Sequence, residues 1–103
     1  MKVLAFDVGG TTIKGGLVDE KLKIQEKFIE DTPKREDTFI SLIEEIHDRF
    51  SDETHKVSLG MPGFVDNDNH IFKYGKNMQF SIDFKKLGFC KEKKIYLEND
   101  GNL

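Results

Sequence analysis

Three clusters in the chain carry residues of the kind that handle phosphate and hydroxyl groups. The first is Asp7-Val8-Gly9-Gly10-Thr11-Thr12-Ile13-Lys14. An acid stands at the end of an apolar run, followed by two glycines, two hydroxyls and a lysine. A tight glycine turn aims backbone N–H groups at a phosphate, and threonine hydroxyls add donors. Asp7 in that position suits a magnesium ion or its water, and Lys14 adds charge near phosphates. The spacing is neither that of a Walker A loop nor the Gly-x-Gly-x-x-Gly dinucleotide pattern. The second cluster is Leu59-Gly60-Met61-Pro62-Gly63, a strand end whose glycines let a ligand approach the backbone. The third is Glu98-Asn99-Asp100-Gly101-Asn102. A carboxylate there could take a proton from a hydroxyl that a neighbouring amide orients. Taken singly, each cluster also reads as a turn.

The elements that must position these residues are legible as a pattern. Val3-Leu4-Ala5-Phe6 is a continuous apolar run and reads as a buried strand over Lys2–Phe6, ended by Asp7 and Gly9-Gly10. Ile13–Val18 reads as a second strand, in which Gly15-Gly16 marks close approach of another backbone or a ligand. A third runs from Leu22 to Ile29, making an antiparallel meander. Thr32-Pro33 then opens a helix, with Thr32 or Asp37 as its cap. Phe39, Leu42, Ile43, Ile46 and Phe50 form its apolar stripe. Val57–Met61 is a strand placed for a parallel crossover. Residues 64–80 are polar and broken, with a hairpin turn at Asp66-Asn67-Asp68-Asn69. Ser81–Leu87 reads as a short helix capped by Ser81 and stopped by Gly88. Lys91–Lys94 is a solvated loop, and Ile95–Leu97 the last strand.

Composition sets the limits. The 103 residues are 37% hydrophobic and 34% charged, which is a folding, soluble composition in one domain or a piece of one. No apolar run approaches the length of a membrane span, and the N-terminal run is too short for a secretory signal. A net charge of −3 spread along the chain argues against a nucleic-acid or anionic-membrane surface. The single cysteine, Cys90, excludes an internal disulfide and a cysteine-built zinc site. These features suit the cytoplasm.

Together and in this order, the clusters resemble the ROK family of bacterial sugar kinases and related repressors, in the hexokinase and actin superfamily. The match runs from Asp7–Asp19 through Gly60-Met61-Pro62-Gly63-Phe64-Val65-Asp66 to Leu97–Asn102. The resemblance implies an α/β, ribonuclease-H-like (actin-like ATPase) domain. Its mixed sheet would have three antiparallel N-terminal strands followed by helix–strand crossovers. It implies an ATP-dependent kinase acting on a sugar hydroxyl. ATP would lie on Asp7, Gly9, Gly10, Thr11, Thr12 and Lys14, with Mg2+ held by Asp7 through water. Gly63, Asn99 and Asp100 would hold the sugar, and Asp100 would be the catalytic base. It also implies that residues 1–103 are an N-terminal domain, inactive alone, whose closing domain and usual His/Cys zinc site lie outside them. The phosphate strand starts at residue 2 with no DNA-binding extension before it, which favours the kinase branch. A non-catalytic sugar-sensing or transcription-regulator module is the alternative.

Three further expectations concern side chains outside the clusters. Asp66–His70 hints at a calcium loop, but Ile71 stands where the EF-hand glycine belongs and Asn77 where its glutamate does. His47, beside Ile46 on the helix, is expected to be partly exposed, and Cys90 to be a small packed or partly exposed side chain. An apolar sheet face built from alternate residues of Val3–Phe6 and Val57–Met61 is expected to be partly bare. Self-association of the chain would follow, unless residues 64–90 fold over the gap.

Overall fold

The computed structural model describes residues 2–74 and 78–99. Strand β1 (Lys2–Val8) is followed by β2 (Thr12–Val18) and β3 (Ile24–Asp31), helix α1 (Glu36–Phe50) and β4 (Thr54–Met61). Three two-residue strands come next: β5 (Val65–Asp66), β6 (Ile71–Phe72) and β7 (Ile82–Asp83). A 3-10 turn over Phe84–Lys86 and a last strand, β8 (Lys94–Asn99), complete the described chain. The main sheet has the order β3-β2-β1-β4-β8. The first three strands pair antiparallel, and β1–β4 and β4–β8 pair parallel. This is the mixed sheet expected from the apolar runs and the intervening helix.

One face of the sheet makes the core. Leu4, Phe6 and Val8 of β1, Ile13 and Leu17 of β2, Val57, Leu59 and Met61 of β4, and Ile95 and Leu97 of β8 are buried. They alternate along each strand, as period-2 geometry requires. α1 covers them with Phe39, Ile43 and Ile46. Residues 80–89 lie beside α1 on the same side. Phe84 meets Phe39 edge-on at 6.2 Å, and Phe89 stacks on His47 at 3.9 Å. Glu36 of α1 accepts from the Asp83 amide and from Lys86 Nζ, and Glu44 accepts from the Gly88 amide.

Several local expectations are corrected. α1 begins at Glu36, not at Thr32-Pro33, and its N-cap residue Arg35 makes no side-chain cap. Thr32 is unavailable as a cap because its hydroxyl bonds the Gly9 carbonyl. The buried arc of α1 includes Ile40 and His47, while Leu42 and Phe50 are only half-buried. His47 is 4% exposed rather than partly exposed, because a second partner, Phe89, packs against the helix flank. Ser81–Leu87 is not a helix. Ile82 pairs with Phe72 in the small sheet, and Asp83, not Ser81, caps the 3-10 turn through the Lys85 amide. β3 starts at Ile24 because Leu22 sits in the left-handed region (φ 63°), within a turn that the Asp19 carboxylate ties to the Lys21 and Lys23 amides.

The outer face also differs from expectation. The described residues of 64–90 do not line it. The β4 residues on that face, Lys56, Ser58 and Gly60, are polar or small, so β4 adds no apolar surface. The apolar part lies over β1–β3, where Ala5, Gly16, Val18, Ile24 and Ile29 line an open groove of about 660 Å3.

Candidate functional site

The described residues of the three clusters, which include Glu98 and Asn99 of the third, converge on one edge of the sheet. β1, β4 and β8 run parallel, so their carboxyl ends lie together, the position where ligands bind in open α/β sheets. The register aligns them residue by residue. Asp7 pairs with Gly60, and Gly60 with Glu98; one step on, Met61 pairs with Asn99. With strands about 4.8 Å apart, two spacings separate the first cluster from the third, roughly 10 Å.

The first cluster forms the turn between β1 and β2. The Gly9 amide donates to the Thr12 carbonyl at 2.9 Å, closing it. β3 braces it from beyond: the Thr32 amide donates to the Thr11 carbonyl and the Thr32 hydroxyl to the Gly9 carbonyl. A Cβ on Gly9 would stand 3.2 Å from the Thr12 carbonyl oxygen, so the turn is tight enough to disfavour a side chain there. Thr11 is exposed, and Lys14 lies across the ladder from Asp7 on the outer face. Asp7 is exposed, and its carboxylate makes no hydrogen bond or ion pair among the described residues. No group of three or more His, Cys, Asp or Glu side chains among the described residues could enclose a metal ion. One free carboxylate beside a phosphate turn fits magnesium, which keeps most of its water and takes its other oxygens from phosphates. It does not fit an all-protein cation cage.

Gly15-Gly16 has a structural explanation. A Cβ on Gly15 would lie 2.2 Å from the Ala5 carbonyl oxygen and 2.5 Å from the Phe28 ring. The approaching groups are the neighbouring strands. Gly63 follows the end of β4, and a Cβ there would come within 3.1 Å of the Phe72 ring. Asn99 is the exposed last residue of β8. The expected base, Asp100, lies outside the described residues, as do Gly101 and Asn102.

Sequence reasoning missed Lys34. Its Nζ donates to the Gly10 carbonyl at 3.1 Å, which puts a cation directly against the phosphate-type turn. Gly10, Thr32, Pro33, Lys34 and Met78–Phe80 line a cleft of about 310 Å3 there. No local pattern marks Lys34; it follows the Thr-Pro break, and only the sheet brings it to the turn. The acidic turn at Asp66–Asn69 forms the expected hairpin between β5 and β6. Asp66 accepts from the Asp68 and Asn69 amides and from Asn69 Nδ2. The Asn69 side chain, first among these, holds its carboxyl below the usual range. That carboxylate braces the turn. Cys90 is partly buried, with Sγ 3.4 Å from the Lys85 carbonyl.

A meander of three antiparallel strands, parallel crossovers and a phosphate-type turn at the carboxyl edge define an actin-like ATPase domain of ribonuclease-H type. Comparison with known proteins gives its family. The chain belongs to the ROK family, whose model matches residues 3–103. It is 33% identical to a glucokinase of Thermotoga maritima over 99% of this chain and 34% of that protein. A ROK hexokinase structure from Thermus thermophilus superposes with TM-score 0.79 at 29% identity, covering 99% of this chain and 36% of that one. A ROK family glucokinase from Streptomyces griseus, solved in complex with glucose and AMPPNP, gives TM-score 0.81 over 99% of this chain and 34% of that one. At 24% identity it shows the shared fold. The chain thus spans about a third of the length of the curated relatives it matches.

Proposed function

We propose that these residues form the N-terminal domain of a cytoplasmic sugar kinase that transfers the γ-phosphoryl group of ATP to a sugar hydroxyl. The observation that carries this reading is the register that brings Asp7, Gly60 and Glu98 into one row at the carboxyl edge. The turn after β1, Gly63 just past the end of β4, and Asn99 at the end of β8 all belong to that edge. Gly9, Gly10, Thr11 and Thr12 cradle phosphate through amides and hydroxyls, and Lys14 adds positive charge. Asp7 holds Mg2+, through water, and that ion supplies charge neutralisation on the phosphates. Gly63 and Asn99 orient the sugar. Asp100 takes the proton of the attacking hydroxyl, whose oxygen bonds to the γ-phosphorus as the bond to the ADP oxygen breaks. Such transfer depends on positioning and electrostatics, which is what rigid strand ends provide.

The test is Asp100→Asn in the full-length protein. Turnover should fall at least ~10²-fold, the low end for a general base, with sugar binding largely kept. Unchanged turnover overturns the assignment. A panel of hexoses and amino sugars, read by ATP consumption, identifies the acceptor. Sugar binding without ATP consumption across that panel would point to a non-catalytic sensor instead. The remaining two thirds of such a protein would supply the other wall of the nucleotide cleft, so residues 1–103 alone should show no sugar-dependent ATP turnover.

A further inference from the structure

We infer that Asn67 is a positioning residue for the sugar-binding end of β8, an inference that rests on the kinase reading above. Among the described residues β8 is an edge strand of the main sheet, paired with β4 on one side. Its other edge would leave backbone groups without a ladder partner. At Leu97 that edge is filled by a side chain. Asn67 Nδ2 donates to the Leu97 carbonyl at 2.9 Å, and the Leu97 amide donates to Asn67 Oδ1 at 3.1 Å. A carboxamide offers one donor and one acceptor in a plane, so Asn67 reproduces a neighbouring strand's peptide group. Only Asn or Gln can do this with a side chain, and Asn is the shorter and less mobile.

The turn that carries Asn67 is itself braced. The three bonds to the Asp66 carboxylate fix its backbone. Lys85 Nζ donates to the Asn69 carbonyl at 2.5 Å, and β5 pairs with β6 behind it. The acidic turn that resembles a cation loop therefore functions as a rigid arm. Leu97 is two residues before Asn99 and three before Asp100. Fixing the Leu97 peptide on both sides, by β4 and by Asn67, fixes the direction in which the chain leaves the sheet. A base that must meet a hydroxyl at hydrogen-bond distance tolerates little error, since misplacement by about 1 Å costs on the order of 10²-fold in rate.

The experiment uses the full-length protein with Asn67→Ala, and Asp68→Ala as a control on the same turn. Two readouts are taken: steady-state kinetics with the accepted sugar, and hydrogen exchange of peptides spanning β8, β1 and α1. Asn67→Ala should lower kcat about tenfold, with KM for ATP within about twofold, an effect of the size a small displacement produces. Exchange should speed up in the β8 peptide alone, and Asp68→Ala should match the wild type in both readouts. Wild-type turnover with an unchanged kcat in Asn67→Ala overturns the inference, as does faster exchange in all three peptides, which marks general destabilisation. A wild-type protein that phosphorylates no sugar overturns the kinase reading and with it the positioning role in catalysis. The exchange readout then still decides whether Asn67 holds β8.

Discussion

The hydroxyl of Thr32 donates to the carbonyl oxygen of Gly9 at 2.8 Å, joining the end of β3 to the turn after β1. The two residues are 23 apart in sequence, and Thr32 is buried. The Thr32 amide also holds the Thr11 carbonyl, so the phosphate-type turn is clamped from one side by β3. Thr32→Val keeps the shape and the backbone bond but leaves the Gly9 carbonyl without its hydroxyl. An unsatisfied partly buried acceptor costs about 1–3 kcal/mol. For a domain of this size each kcal/mol lowers the melting temperature by roughly 4–8 °C. Thermal unfolding of the 103-residue chain measures this, and in the full-length protein KM for ATP should rise more than KM for sugar. An unchanged melting temperature would show that the bond contributes nothing.

Gly9 in the turn and Gly15 in β2 should differ in tolerance, because what a methyl group would meet differs. Gly15→Ala puts a Cβ 2.2 Å from the Ala5 carbonyl oxygen, a backbone atom in the adjacent strand. β1 and β2 must separate locally, at a cost of about 1–3 kcal/mol or more. Gly9→Ala meets the Thr12 carbonyl at 3.2 Å, which a small shift relieves. Denaturant titration should rank stability as wild type, then Gly9→Ala, then Gly15→Ala. The reverse order would contradict the packing argument.

What the sequence made legible was whatever it encodes locally. Val3–Phe6 is apolar without interruption, Val57–Met61 alternates apolar residues with Ser58 and Gly60, and Ile95–Leu97 places Tyr96 between two apolar residues; each became a central or edge strand of the sheet. The stripe from Phe39 to Ile46 announced α1, and Asp66–Asn69 announced a hairpin. The features that eluded the sequence depend on contacts far along the chain. Thr32 looks like a helix cap until its hydroxyl finds Gly9. Ile82, Phe84 and Leu87 permit a helix, but pairing of Ile82 with Phe72 draws the segment into a strand. Lys34 carries no motif and acquires its place from the cross-strand arrangement of β3 and the turn; Asn67 lies in a legible turn, but its bonds to Leu97 come only from the edge of β8.

His47 should make stability depend on pH. Its ring is buried, stacked on Phe89 with an interplanar angle of 12°, and neither ring nitrogen has a hydrogen-bond partner among the described residues. Burial, reinforced by Lys93, lowers its pKa from the ordinary value near 6.5. Asp48, with a carboxylate oxygen 3.7 Å from Nδ1, and Glu92 oppose that shift. Below pH 6.5 the unfolded chain takes up a proton that the folded chain resists. Stability is therefore full above that pH and declines as pH falls toward the lowered folded value. His47→Phe keeps a ring on Phe89 and removes the titration. Melting temperatures between pH 7.5 and 5.5 should fall less for this variant than for the wild type. Parallel curves would assign the acid sensitivity elsewhere.

The outer face of β1–β3 should drive self-association of the 103-residue chain. Leu22, Ile24 and Ile29 are 83%, 55% and 62% exposed, and β3 is an edge strand of the sheet. Ile24 and Ile29 border the groove over Ala5, Gly16 and Val18. At about 25 cal/mol per Å2, burying a few hundred Å2 of this surface favours association by several kcal/mol before entropy costs. The charges of Glu26, Lys27 and Glu30 along the same edge oppose ladder formation between strands, so face-to-face packing is the favoured mode. Sedimentation across a micromolar concentration series should show reversible association, and Ile29→Lys should shift it to higher concentration without lowering the melting temperature. A wild-type monomer at high micromolar concentration, with a sharp thermal transition, would show that this face is stable in water and would remove the argument.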